Sequence, residues 1–193
     1  MQGSRRAPLD VRRPFVWLAA TALITVALDQ LTKAIVRSSL QLDEALPVIP
    51  GIFEIAHVRN AGAAFGMLPG RRALFIGVFI LMLSAVAVYW WRARPTAWPV
   101  VISLGLVVGG AVGNFIDRVF VGHVTDLLAF SFFAPVFNIA DSAIFVGVAG
   151  LIVWVFFGPQ PEREETEEPK APGDDEACSA SPAGVLSPED HIR

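Results

Sequence analysis

The stretch VFNIADSAIFVGVAGLIVWVFF, Val136–Phe157, decides how this chain is read. From Ile139 it is apolar for long enough to cross a bilayer, yet Asp141 sits in what would be its first turn. An ionisable group at the centre of a spanning helix costs roughly 2.5–3.5 kcal/mol, and the cost falls toward the interface. Asn138 offers a way to place the acid. Asn is a good N-cap, and an acid three residues on resembles a capping box. The helix dipole also favours an anion there. A cap at Asn138 starts the span at Ile139 and leaves Asp141 near the membrane surface. The open question is whether the acid only closes a helix end or does chemistry.

Three more apolar runs precede this one: Phe15–Val36, Ala73–Trp91 and Trp98–Val121. Each is long enough to cross roughly 30 Å of hydrocarbon at about 1.5 Å per helical residue. Trp17, Trp90, Trp91, Trp98 and Trp154 lie near the ends of the runs, as interfacial aromatics do. The chain of 193 residues is 54% hydrophobic and 17% charged, which leaves too little polar surface for a soluble core. We expect a mainly α membrane protein with four transmembrane helices. The first run follows an Arg-rich lead, but it is longer than a signal-peptide core and no A-x-A-like site follows, so it reads as a retained span.

Charge is unevenly spread. Ten of the 18 acidic residues but only three of the 15 basic ones lie from Gly158 onward. The body is therefore net positive and the tail strongly negative. We expect residues 1–14 to be a cytoplasmic Arg-rich lead, 15–157 the four-span domain, and 158–193 a disordered acidic cytoplasmic tail. Four spans put both termini on one side, and the Arg-rich lead with the Arg92–Arg94 loop points to the cytoplasm. The one cysteine, Cys178, permits neither an intrachain disulfide nor a thiolate zinc site.

Two connections lie opposite the termini. In the first, Ile52–Val58 reads as a short strand bounded by Pro50-Gly51 and Asn60. NAGAAFGML after it could open a short helix or re-entrant piece capped by Asn60. The second, Gly122–Phe137, could add a strand beside the first. A small sheet on the outer membrane face would result.

Polar residues cluster in and beside the spans. Asp29 and Lys33 in DQLTK are four apart and share a helix face. They could be functional, or a self-neutralising pair with Lys33 snorkelling to the interface. GNFIDR puts Asn114, Asp117 and Arg118 on one side of a helix. They could be functional, or a charge pair of Asp117 and Arg118 ending span three. Asn138 and Asp141 repeat the N-x-x-D spacing. Antiparallel packing of spans three and four gathers Asp117, Asp126 and Asp141 at one end. Two carboxylates sharing a site cannot easily both ionise, so one holds a proton while the other can act as a base. That is the requirement of aspartyl peptide hydrolysis. Spacing alone does not choose between Asp117–Asp141 and Asp126–Asp141; Arg118 beside Asp117 mildly favours Asp126.

Other chemistries fit less well. There is no H-E-x-x-H, and His57, His123 and His191 are scattered. No G-x-S-x-G occurs. His123 near Asp126 could be a ligand or base, but a loop histidine is more often solvated. A small proton-coupled transporter or a structural membrane subunit is the alternative, supported mainly by Asp29–Lys33. Against it, the acids gather at one face instead of forming a path across.

DQLTK, NAGAAFG, GNFIDR, VTD and FNIADSAI follow one another in this order. Together they strongly resemble bacterial lipoprotein signal peptidase, or signal peptidase II, from about Phe15 to Phe157. The resemblance implies an intramembrane aspartyl endopeptidase that removes signal peptides from prolipoproteins by cutting before a diacylglyceryl-modified cysteine. It implies four transmembrane helices, a β-sheet cradle and a short helix on the outer face of the bacterial inner membrane. By motif, the catalytic pair is Asp126 and Asp141. Asn114, Asp117, Arg118 and Asn138 match the polar shell around it. Asp29, Lys33, Asn60 and Gly62 match further positions around the pocket. Thr125 departs from the aliphatic residue expected in VTD. We expect no cofactor, no metal and no nucleic acid, with membrane phospholipid and prolipoproteins as partners of a monomer.

Overall fold

The computed structural model describes residues 12–62 and 72–159. The first eleven residues, most of the NAGAAFGML segment and the acidic tail from residue 160 lie outside the described residues. So do the expectations placed on them: the short helix and the tail disorder.

Four helices are long and apolar enough to span a membrane: α1 (Arg12–Ser39), α2 (Arg72–Ala93), α3 (Trp98–Ile116, running on through a π turn at Asp117–Val121) and α4 (Ile139–Phe157). Helix α1 has an inside-out pattern. Its buried stripe is Thr25, Asp29, Lys33 and Val36, while Leu23, Ile24, Leu28, Leu31 and Ile35 are exposed. The helical repeat puts each set on its own face, polar to the bundle and apolar to lipid. Helix α3 is the centre of the bundle and packs against both α1 and α4. Between membrane helices there is little hydrophobic drive to associate, so close backbone approach matters. Gly113 supplies it at the polar end: a Cβ there would lie 2.5 Å from Asp29 Oδ2. Helix α2 is peripheral. It meets α3 through Phe79, stacked on Phe115 at 4.1 Å, and its end meets the start of α1 where Trp90 abuts Phe15.

A four-stranded antiparallel sheet caps one end, in the order β1 (Ala45–Ile49), β2 (Phe53–Asn60), β3 (Val124–Phe130) and β4 (Phe133–Phe137). The expected first strand is β2, shifted by one residue at its start because Ile52 belongs to the turn, where its N–H donates to Ile49 O at 3.0 Å. Strand β1 is an addition: Pro47 argues against a strand but is tolerated on an edge. The second connection forms a hairpin, β3–β4, and not a single strand. Gly122, at φ 88°, takes the left-handed conformation that turns α3 into β3. Register pairs Val58 with Asp126, Arg59 with Thr125 and Asn60 with Val124.

Candidate active site

Helix α4 opens with the expected cap. Asn138 Oδ1 accepts from the Asp141 N–H at 2.9 Å, and Asp141 Oδ2 accepts from the Asn138 N–H at 3.3 Å. The capping box leaves the other atoms of both side chains free for a second task. Asn138 Nδ2 donates to Asp126 Oδ1 at 2.7 Å, and Asn114 Nδ2 donates to Asp141 Oδ1 at 2.7 Å. The two amides are joined through Asn138 Nδ2 and Asn114 Oδ1 at 3.2 Å. Asp126 is thus linked to Asp141 by Asn138 and Asn114. From β2, Asn60 Nδ2 donates to Asp126 Oδ2 at 2.8 Å, while Asn60 Oδ1 accepts from the Gly62 N–H at 3.0 Å.

Asp126 is almost fully buried at the foot of β3. Burial pushes its carboxyl pKa up to about 6; the charge of Asp141 adds to the rise, while hydrogen bonds from Asn60 and Asn138 and the charge of Lys33 oppose it. Such a group can carry or release a proton near neutral pH.

The third acid has a different setting. Asp117 is fully buried and does not line the cavity. Lys33 Nζ lies 3.2 Å from Asp117 Oδ2, Arg37 Nη1 lies 3.4 Å from Oδ1, and the Thr125 N–H donates to Oδ2 at 3.1 Å. The ion pairs of Asp117 are thus with Lys33 and Arg37, where the alternative reading had placed Arg118. Arg118 turns away to donate to Gly62 O at 3.1 Å and lies over the Phe75 ring at 4.6 Å. Lys33 does not snorkel either. Its ammonium is fully buried, 2.8 Å from Asp29 and 3.2 Å from Asn114 Oδ1, because three acceptors match its three donors. Asp29 Oδ1 in turn accepts from the Ala140 N–H at 3.0 Å, tying α1 to the start of α4.

Two contributors, Gln30 and Arg37, were not singled out from the sequence, and Thr125 only as a departure from the family pattern. Gln30 donates to Asp29 and to Gly113 O at 3.1 Å; Arg37 bridges Asp117 and Thr125; Thr125 is itself fully buried. Gln30 carried a signal, a long amide beside Asp29 in a span. Among the described residues no buried side-chain polar atom lacks a partner, and no group of His, Cys, Asp and Glu is arranged to hold a metal ion.

A cavity of about 730 Å³ opens onto these groups. Asn60, Asn114, Arg118, Asp126 and Asp141 form its polar wall, and Phe130, Phe133, Phe137, Phe145 and Val146 its apolar one. The apolar wall runs from the sheet hairpin to the flank of α4, where Phe145 and Val146 are exposed. A profile described as signal peptidase (SPase) II matches residues 21–157, which takes in α3, α4, the sheet and most of α1.

The chain belongs to the signal peptidase II family.

The lipoprotein signal peptidase of Geobacillus thermodenitrificans is 45% identical over 157 residues, covering 79% of this chain and 96% of that one. That of Halothermothrix orenii is 42% identical over 134 residues, 69% of this chain and 91% of the other. A solved bacterial membrane enzyme superposes with a TM-score of 0.70 at 31% identity, covering 78% of this chain and 94% of its own. As a signal peptidase II family member the chain is a peptidase, and a multi-pass membrane protein. The transporter and structural-subunit alternatives fall away.

Asn138 serves both as helix cap and as donor to Asp126, and the two roles can be separated. Asp is as good an N-cap as Asn, so Asn138→Asp keeps the cap. It replaces the donor facing Asp126 with a second carboxylate. We expect a folded protein whose peptidase kcat falls by about 10²-fold, the scale of losing a positioned hydrogen bond in a catalytic site. Matched melting curves and cleavage rates check this.

Proposed function

We propose that this signal peptidase II family member is an aspartyl endopeptidase with Asp126 and Asp141 as its catalytic pair. The observation that carries the reading is their placement. Two carboxyls, bridged by Asn138 and Asn114, face one cavity whose other wall is apolar. The substrate is a prolipoprotein carrying a diacylglyceryl group on the cysteine after the scissile bond. Its acyl chains suit the apolar wall, and its signal helix enters from the bilayer beside α4. The lipid anchors the cysteine in the outer leaflet, which sets the depth of the scissile bond.

The pair binds one proton between them and titrates as a unit. The ionised carboxylate takes a proton from a water molecule as its oxygen bonds to the scissile carbonyl carbon. The protonated carboxyl hydrogen-bonds the carbonyl oxygen and stabilises the charge that develops there. Collapse of the tetrahedral species breaks the C–N bond, and the amine leaves with a proton from the pair. Asn114, Asn138 and Asn60 hold the two carboxyls in place. Arg118, Asp117, Asp29, Lys33 and Gly62 support the walls.

In orientation, Arg12, Arg13, Arg92 and Arg94 gather at the end of the bundle opposite the sheet. That favours termini in the cytoplasm, and a site near the outer face of the bacterial inner membrane. We read the working unit as a monomer surrounded by phospholipid. The direct test is purified protein incubated with a diacylglyceryl-modified precursor. Release of the signal peptide is expected, and no release from the lipidated precursor would refute the reading.

A pH dependence follows from Asp126. Burial raises its carboxyl to about 6, so the proton shared by the pair is lost as pH rises through that region. We expect kcat/KM to decline as pH rises through that region, when the pair's shared proton is lost. Asn60→Leu removes a hydrogen bond that holds the value down, so the decline should move to higher pH. Stability is linked in the same direction. The folded-state pKa is raised above 3.8, so the stability from this group is present below 3.8 and lost as pH rises through about 6. Initial rates and melting temperatures across pH check both signs.

A further inference from the structure

Thr125 stands directly before Asp126 and is fully buried. Alternation along β3 turns its side chain to the face away from Asp126. Two contacts hold it. The Thr125 N–H donates to Asp117 Oδ2 at 3.1 Å, and Thr125 Oγ1 accepts from Arg37 Nη1 at 3.2 Å. The same Arg37 nitrogen reaches Asp117 Oδ1 at 3.4 Å. Arg37, Asp117 and Thr125 therefore close a triangle that joins the end of α1, the π turn and the back of β3. An aliphatic side chain could fill the space of Thr125, but it could not accept from Arg37.

We infer that Arg37 and Thr125 are positioning residues for Asp126. The hydrogen bond between them fixes the back of β3, so that the carboxyl on its front stays within reach of Asn60 and Asn138. The inference rests on the proposed catalytic role of Asp126. Bonds to Asn60 and Asn138 constrain the carboxyl only as well as the strand behind it is fixed. A few tenths of an ångström at Thr125 translate directly to the next residue. Arg37 also balances the charge of Asp117, so an Arg37 variant alone would mix charge with position. Thr125 isolates position, because Thr125→Val keeps the shape and removes only the acceptor.

The experiment compares Thr125→Val with Thr125→Ser in cleavage of a diacylglyceryl-modified precursor. Thr125→Val is expected to lower kcat by about 10- to 100-fold, the scale of a small misplacement of a catalytic group. KM should hold. The decline of rate with pH should move upward, because Asp126 slips from the amides that keep its pKa down. Thr125→Ser, which keeps the hydroxyl, should recover most of kcat and the original pH profile. The inference is overturned if Thr125→Val cleaves at the wild-type rate, or if Thr125→Ser loses as much as Thr125→Val. It is equally overturned if Thr125→Val lowers only the melting temperature and leaves kcat and the pH profile in place. Full activity of Asp126→Asn in the same assay would bring down the catalytic pair itself, and so separates that failure from this one.

Discussion

Replacing Asp126 or Asp141 by Asn is expected to leave a folded, inserted protein that no longer releases the signal peptide from a lipid-modified precursor. Asn is nearly isosteric, so the walls of the cavity survive. What goes is the ability to take a proton from water or to hold one toward the carbonyl oxygen. General acid–base catalysis by a positioned group contributes on the order of 10²–10⁴-fold, or about 3–5 kcal/mol of barrier. In the proposed mechanism the two carboxyls act as one unit, so the double variant should be hardly worse than either single one. That non-additivity is the diagnostic result. Two independent supports of the fold would instead give losses that multiply. Asp126→Asn carries a local cost as well. Asp126 accepts from Asn60 at one oxygen and from Asn138 at the other, and an amide can accept at only one. Melting curves must therefore accompany the rates. Asp141→Asn carries the same cost, because Asp141 accepts from Asn114 at one oxygen and from the Asn138 N–H at the other. Wild-type processing by either variant would remove that residue from the pair.

How much of this was readable from residues alone depended on the range of the interaction. The spans were legible because hydropathy is a local property summed over a run. Asn138 capping α4 was legible because a cap and its box lie within four residues. The polar residues of α1 and α3 were legible as faces, since spacing determines which side chains share a side. Spacing does not determine which face meets which. Lys33 four residues from Asp29 fits a snorkelling pair and a buried pair equally well, and only Asp117 and Asn114 on α3 decide it. The same holds for the setting of Asp117. Asp117 is neutralised by Lys33 and Arg37, about 80 residues away in the chain, not by its neighbour Arg118. Nothing in the sequence singled out Arg37, and Thr125 was only a departure from the expected aliphatic residue. Their meaning comes from the bond between them.

Lys33→Met is expected to be the most damaging single change away from the proposed catalytic pair. The buried cluster holds Asp29 and Asp117 against Lys33 and Arg37, and Lys33 is the cation that contacts both acids, at 2.8 and 3.2 Å. Removing one partner of a buried ion pair leaves a charge that cannot reach water, a loss of about 3–5 kcal/mol. Here two carboxylates would be left short of a cation, and Asn114 Oδ1 would lose a donor. Arg37 cannot replace Lys33, because it sits at the rim and its guanidinium is already shared between Asp117 and Thr125. The damage would reach catalysis through two routes. Asn114 would be free to turn away from Asp141, and Asp29 would be drawn from the Ala140 N–H that fixes the start of α4. The expected result is a sharp fall in melting temperature and in the yield of folded protein. Lys33→Arg should not rescue it, because a planar guanidinium cannot satisfy three acceptors arranged around a point charge. Lys33→Met combined with Asp29→Asn should recover part of the stability by removing one stranded charge. If Lys33→Met melts like the wild type, the cluster is not what joins α1 to α3, and the close approaches at Gly105, Gly109 and Gly113 must carry that contact.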